Sequence, residues 1–283
     1  AMACIMGAGT MWGCIGLFNR HLSALGISAA SIVLIRNIGA CLLLALLFLL
    51  TDRSVFRIQL RHLPYFLGTG IVSVLFFTLC YFRSQQVSSL SVAAILLYTS
   101  PTFVVILSTI LFKDRFTRRK LAALVIAFLG CTFVTGIWSG GGLALSPEGL
   151  LLGLGSGLFY ATYSIFGRFA LVHYQPFTVT FYTFLVAGIG SLFFTNTQDL
   201  TTLFSSPAAL LLALGLMVFA TVLPYLLYTK GLGDLGDSGK ASILASVEPV
   251  VASLVGILAF GEPMGIGVVL GLLCILASVY ILR

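Results

Sequence analysis

The sequence predicts an all-α polytopic membrane protein whose ten transmembrane helices form two inverted five-helix repeats. Three observations predict it. Of 283 residues, 59% are hydrophobic and 8% charged, whereas soluble domains carry about 25% charged residues. The apolar residues gather in stretches near the roughly 20-residue length that crosses a bilayer as a helix, not in the short alternating segments of a barrel. Finally, related residues recur 148 positions apart: Met11-Trp12 and Phe18-Asn19-Arg20 against Phe159-Tyr160 and Phe166-Gly167-Arg168, Ser100-Pro101 against Glu248-Pro249, and Phe112-Lys113-Asp114 against Phe260-Gly261-Glu262. Between these, Gly68 and Tyr81 match Gly215 and Tyr228 at 147, a slip of one residue. Five spans per copy is an odd number, so the second copy enters the membrane from the opposite side.

Taken in order, the first span covers Ala3–Phe18 and carries no charge before Arg20. It lacks the basic n-region of a signal peptide; it is short for a span, and the natural N-terminus is expected to lie upstream. Spans follow at Ser31–Leu50, Pro64–Phe82, Ser91–Phe112 and Leu121–Trp138, completing a first repeat over residues 1–138. A Gly-rich connection at 139–146 leads to the second repeat, 147–283, with spans Glu148–Leu171, Phe177–Thr195, Pro207–Thr229, Ala241–Phe260 and Met264–Leu282. Lys and Arg concentrate on cytoplasmic connections. With both termini cytoplasmic, that side holds Arg53, Arg57, Arg61, the basic run from Lys113 to Lys120, Arg168, Lys230, Lys240 and Arg283, and the other side only Arg20 and Arg83. The net charge of +7 therefore reads as topology and headgroup contact, with no nucleic-acid partner expected.

The ninth span carries the strongest candidate site. Glu248 lies near its middle, where an acid costs about 2.5–3.5 kcal/mol and ordinarily faces a cavity or a partner. Pro249 follows at once and can break the helix at that depth. Pro101 occupies the matching position in the first repeat, and Pro224 breaks the eighth span. Matched breaks in inverted repeats point to a solute site near the midplane, as in secondary transporters. Ser100 stands where the second repeat has Glu248, so the expected site is asymmetric. Trp12, Tyr98 and Tyr163 are deep enough to line it, with Tyr228 added; Tyr81, Tyr160 and Tyr228 lie nearer span ends, where an interfacial belt is the alternative. Arg36, beside Asn37, is expected to snorkel to the headgroups; the alternatives are a structural pair or an anionic substrate group.

Other motifs carry less. Gly231-Leu-Gly233-Asp-Leu-Gly236 matches a dinucleotide fingerprint but lacks the βαβ unit that fingerprint needs, and reads as a flexible connection. The six cysteines sit inside apolar spans without a Cys-x-x-Cys pair, and the three histidines are separated along the chain. No metal, cofactor or catalytic cluster is expected, so the chain is not read as an enzyme. The Gly-x-x-x-Gly pairs Gly9/Gly13, Gly153/Gly157 and Gly267/Gly271 are expected to pack helices within one chain, with a dimer face as the alternative.

On Glu248-Pro249-Val250, Phe260-Gly261-Glu262, Phe112-Lys113-Asp114-Arg115 and the tandem five-span halves, the chain resembles the drug/metabolite transporter superfamily in its ten-helix EamA-type branch. The resemblance implies a basket-like bundle in a prokaryotic plasma or inner membrane. Spans 1, 3, 4, 6, 8 and 9 would surround a central cavity, with spans 5 and 10 peripheral. It implies transport of amino acids and related metabolites. The small four-span relatives carry a coupling acid in the first span, and this chain has none there, so any proton coupling falls to Glu248. The expected function is secondary transport, in the export direction, of a small amino-acid-like metabolite by alternating access. The partners are that metabolite, the lipid bilayer and protons, in a monomer or weak dimer. The alternative is a passive channel or facilitator, which would want rings of charge or carbonyls along a pore.

Overall fold

A computed structural model describes the backbone of residues 1–87, 90–134, 146–194, 197–261 and 265–281, and their side chains apart from 85, 86, 90–92, 134 and 197. Among the described residues every regular element is helical. Ten helical passes are seen: α1 Met2–Ala24, α2 Ala29–Thr51, α3 Leu60–Ser84, α4 Ala93–Phe112, α5 Arg118–Val134, α6 Pro147–Leu171, α7 Pro176–Phe194, α8 Pro207–Leu235, α9 Ser238–Phe260 and α10 Ile266–Ile281. Eight are long and apolar enough to cross a membrane on their own; α10 is a shorter apolar helix, and α5 has 17 described residues. The end of the expected fifth span and the Gly-rich connection lie outside the described residues. Helix starts follow local chemistry. The hydroxyls of Ser146 and Ser206 and the carboxylate of Asp237 accept from the backbone N–H groups of Gly149, Ala209 and Lys240, closing donors that a helix leaves open. Proline occupies the first turn of α6, α7 and α8, where its missing N–H costs nothing. Large apolar side chains such as Leu50, Leu211 and Leu258 are 70–85% exposed, as a lipid-facing surface requires.

The repeats interlock rather than sit side by side. Gly9 and Gly13 of α1 bring its backbone onto α9. A Cβ at Gly13 would lie 2.7 Å from the Glu248 carbonyl, and one at Gly9 2.8 Å from that of Ala245. In the same way α6 seats on α4, where a Cβ at Gly157 would lie 2.8 Å from the Leu96 carbonyl. Gly267 approaches Phe133 across the α5–α10 contact at the edge of the bundle. Close packing within the chain is therefore the use of these glycines. The Gly231–Gly236 motif differs from expectation: Gly231 and Gly233 are inside α8, the first packed against Ile5, and only Gly236 ends the helix, at φ +64°.

The helices that face the centre are irregular at matching places. In α4 the helix opens into a turn at Tyr98-Thr99 and resumes at Ser100; in α9 it opens at Ser246-Val247 and resumes at Glu248. Pro101 and Pro249 each sit in the first turn of the resumed helix, about two residues after the turn opens. Two further irregularities are π-helical: Gly68–Phe76 in α3 and Val218–Val222 in α8. Pro224 lies just after the second, and no proline accompanies the first. In each, a hydroxyl bonds the carbonyl five residues back: Ser73 to Gly68 and Thr221 to Leu216, both at 2.8 Å. These anchors are 148 residues apart, like the turns, so the 147-residue pairing does not describe this stretch.

Candidate substrate site

The two turns bring the centre of the site together. They expose the N-termini of two half-helices, Ser100–Phe112 and Glu248–Phe260, whose backbone donors and dipoles favour negative charge. On the face opposite to the one where α1 begins, a cavity of about 310 Å³ opens above Glu248, lined by Trp12, Asn19, Arg36, Tyr81, Tyr98 and Ala252 among others. That volume is at the small-metabolite end of the range for ligand sites. Towards the other face it narrows to a space of about 30 Å³ bordered by Ser100, Pro101, Tyr160, Tyr163, Tyr225 and Tyr228, room for about one water. Trp12, Tyr98 and Glu248 border both spaces, so the carboxylate stands at the boundary between the wide space and the narrow one. The hydroxyl of Tyr160 is turned to it, 3.5 Å from Oε2.

Aromatic packing closes the narrow side. Tyr225 meets Trp12 at 5.1 Å and Tyr163 at 5.2 Å, both edge to face, a preferred geometry for such rings. Tyr163 and Tyr228 have their hydroxyls engaged by Thr229 and Ser164 at 2.7 and 2.8 Å. Below this plug, at the face where α1 begins, ion pairs tie the repeats together. Arg168 donates twice to Asp114, at 2.6 and 3.0 Å, and lies over the Phe112 ring at 4.2 Å. Lys120 reaches Asp237 at 2.6 Å. These pairs are more enclosed than Arg83–Glu148, whose side chains are more than half exposed, and so are less weakened by solvent. At the opposite face Arg20 lies over Phe260 at 4.4 Å, the repeat-related counterpart of Arg168 over Phe112.

The structure thus gathers Trp12, Tyr98, Ser100, Tyr163, Tyr228 and Glu248 around one path and adds Pro101 to its lining. Pro249 is buried in the first turn of the resumed helix and Pro224 sits in α8. Arg36 and Asn37 separate. Asn37 is buried and donates to Ser191 at 2.9 Å, fastening α2 to α7. Arg36 faces the cavity with Nε and Nη2 shielded inside the protein, which replaces the snorkelling expectation. Sequence reasoning placed Tyr160 near a span end, where a belt was the alternative, counted Tyr225 among the aromatic residues of these spans without a place in the site, and passed over Ser246; yet Tyr160 and Ser246 are the 148-residue partners of Trp12 and Tyr98, a usable signal. The histidines are not all apart: His62 and His173 stack at 4.3 Å, brought together by α3 and the end of α6.

Comparison with known proteins agrees with this architecture. The EamA-like transporter family matches twice, over residues 1–136 and 147–283. A transporter of Archaeoglobus fulgidus is 31% identical over 71% of this chain and 70% of its own length. The inner membrane transporter YicL of Salmonella typhimurium is 25% identical over 97% of this chain and 92% of its own. In shape, a solved crystal structure superposes with a TM-score of 0.82 at 16% identity, covering 99% of this chain and 95% of that one, a likeness of fold. With both halves matched to one family and ten helices in inverted repeats around a central cavity, the chain belongs to the EamA-like transporter family.

Proposed function

We propose that the protein is a secondary transporter that exports a small amino-acid-like metabolite from the cytoplasm by alternating access, with both termini cytoplasmic. The observation that carries the reading is Glu248, a lone acid at a helix break, forming the floor of one cavity and the roof of a narrow neck. An ammonium group or a proton at that carboxylate offsets the cost of holding it in the membrane, and aromatic faces such as Trp12 and Tyr98 favour a cation by about 0.5–2 kcal/mol. The aromatic plug and the Arg168–Asp114 and Lys120–Asp237 pairs act as the closed gate. The half-helices that begin at Ser100 and Glu248 rock about their turns to exchange the open and closed sides.

A passive channel would show a continuous pore, and the neck beneath Glu248 has room for about one water. The test is flux in proteoliposomes loaded with an amino-acid mixture. Saturable uptake stimulated by counter-substrate, lost by at least about tenfold in Glu248→Gln, is the expected result. Non-saturating flux, or flux and pH dependence unchanged by the substitution, contradicts it.

A further inference from the structure

Arg36 makes no direct ion pair among the described residues, although Glu248 lies across the same cavity and is electrostatically coupled to it, and its surroundings identify what bridges the gap. It lies in α2 on the cavity wall, with Nε and Nη2 buried and no hydrogen-bond partner among the described residues. The other described acids are occupied or distant. Asp114 holds Arg168, Asp237 holds Lys120, and Glu148 holds Arg83. Asp199 accepts from Ser28 and Asp52 from Ser54, while Asp234 lies near the end of α8, at the face away from the cavity. The one acid that shares a cavity with Arg36 is Glu248, and no ion pair joins the two among the described residues. A guanidinium with two nitrogens shielded and without hydrogen bonds in a spanning helix is expensive, and its planar fork is suited to two parallel hydrogen bonds from a carboxylate.

We infer that Arg36 is the binding residue for an anionic group of the substrate, so that the cavity takes a zwitterion, its carboxylate on Arg36 and its ammonium on Glu248, across about 310 Å³ walled in part by aromatic rings. This deepens the transport reading given above and rests on it. The substrate neutralises both charges at once, and neither an amine nor an acid alone does so. A molecule with only one of the two groups leaves a buried charge unpaired and is rejected on that ground.

The test uses the whole protein in lipid nanodiscs and three probes of matched shape: leucine, 3-methylbutylamine (no carboxylate) and 4-methylpentanoate (no amine). Affinity is read from the ligand-induced rise in melting temperature. Leucine is expected to bind more tightly than either fragment. Arg36→Gln should weaken leucine and 4-methylpentanoate by about tenfold or more while leaving 3-methylbutylamine within about twofold; Glu248→Gln should weaken leucine and the amine and spare the acid. Arg36→Lys, which keeps the charge and loses the fork, should recover part of the loss. If Arg36→Gln weakens all three probes alike, or none, Arg36 has a structural role and the inference fails. If the native protein binds the amine through Glu248 and ignores the carboxylate, this inference falls and the transport reading stands. Binding of none of the probes would overturn both.

Discussion

The broken helices α4 and α9 are the same device made twice. Each opens at a two-residue turn, resumes with a proline in its first turn, and receives a glycine-bearing helix from the other repeat against its broken end. They differ in the residue that heads the resumed helix, Ser100 in one and Glu248 in the other. The shared geometry explains how a path through the middle is built; the difference explains why the path has a charged side. The repeat symmetry supplies the helix break, and the difference at one position supplies the charge. Tyr160 turns its hydroxyl to the acid of α9 and Arg36 lines the cavity that this acid borders, whereas Ser100 does not border that cavity, so the surroundings differ along with the acid.

The comparison breaks first if the acid can be moved. Pairing Ser100→Glu with Glu248→Ser keeps one carboxylate at a helix break but removes it from Tyr160 and from the cavity that Arg36 lines. Flux should remain as low as in Glu248→Ser alone, at least about tenfold below native, whereas Ser100→Ala alone should cost less than about threefold, the scale of one neutral hydrogen bond. Recovery of transport in the exchanged protein would show the two breaks to be interchangeable. A smaller effect sharpens the geometric half of the comparison. Gly13→Ala and Gly157→Ala each place a methyl against a backbone carbonyl of the opposite break, at 2.7 and 2.8 Å, and overpacking of this kind costs about 1–3 kcal/mol. Both should lower the melting temperature in detergent by similar amounts. Gly16→Ala, with nothing within 4 Å of the added methyl, should leave it unchanged. A loss at one site only would mean that the two seats are not equivalent.

Much of this was legible in the sequence, and the misses share a cause. Proline marks a break because its chemistry is local, so Pro101 and Pro249 announced the turns. The π segment of α3 has no such marker; it is recorded in a Ser73 hydroxyl that finds a carbonyl five residues back, a preference visible only once the helix has formed. Glu248 was conspicuous because a charge stands out in an apolar run, while Tyr160 looked like an ordinary belt residue. Adjacent residues on a helix point about 100° apart. Arg36 and Asn37 therefore go to a cavity and to a neighbouring helix, and only packing tells which goes where. The stacking of His62 on His173 depends on the meeting of α3 with α6, which no local pattern encodes.

The central claim is a path open on one side of Glu248 and sealed on the other by plug and latch. It is tested most directly by thiol accessibility in a background with the six native cysteines replaced. A Gly16→Cys thiol lies on the cavity wall and a Ser242→Cys thiol on the sealed neck. A water-soluble maleimide should label the first and not the second, and adding Asp114→Asn, which releases Arg168, should raise labelling at the second. Equal labelling at both positions from the outset, or none at the cavity position, would contradict the account.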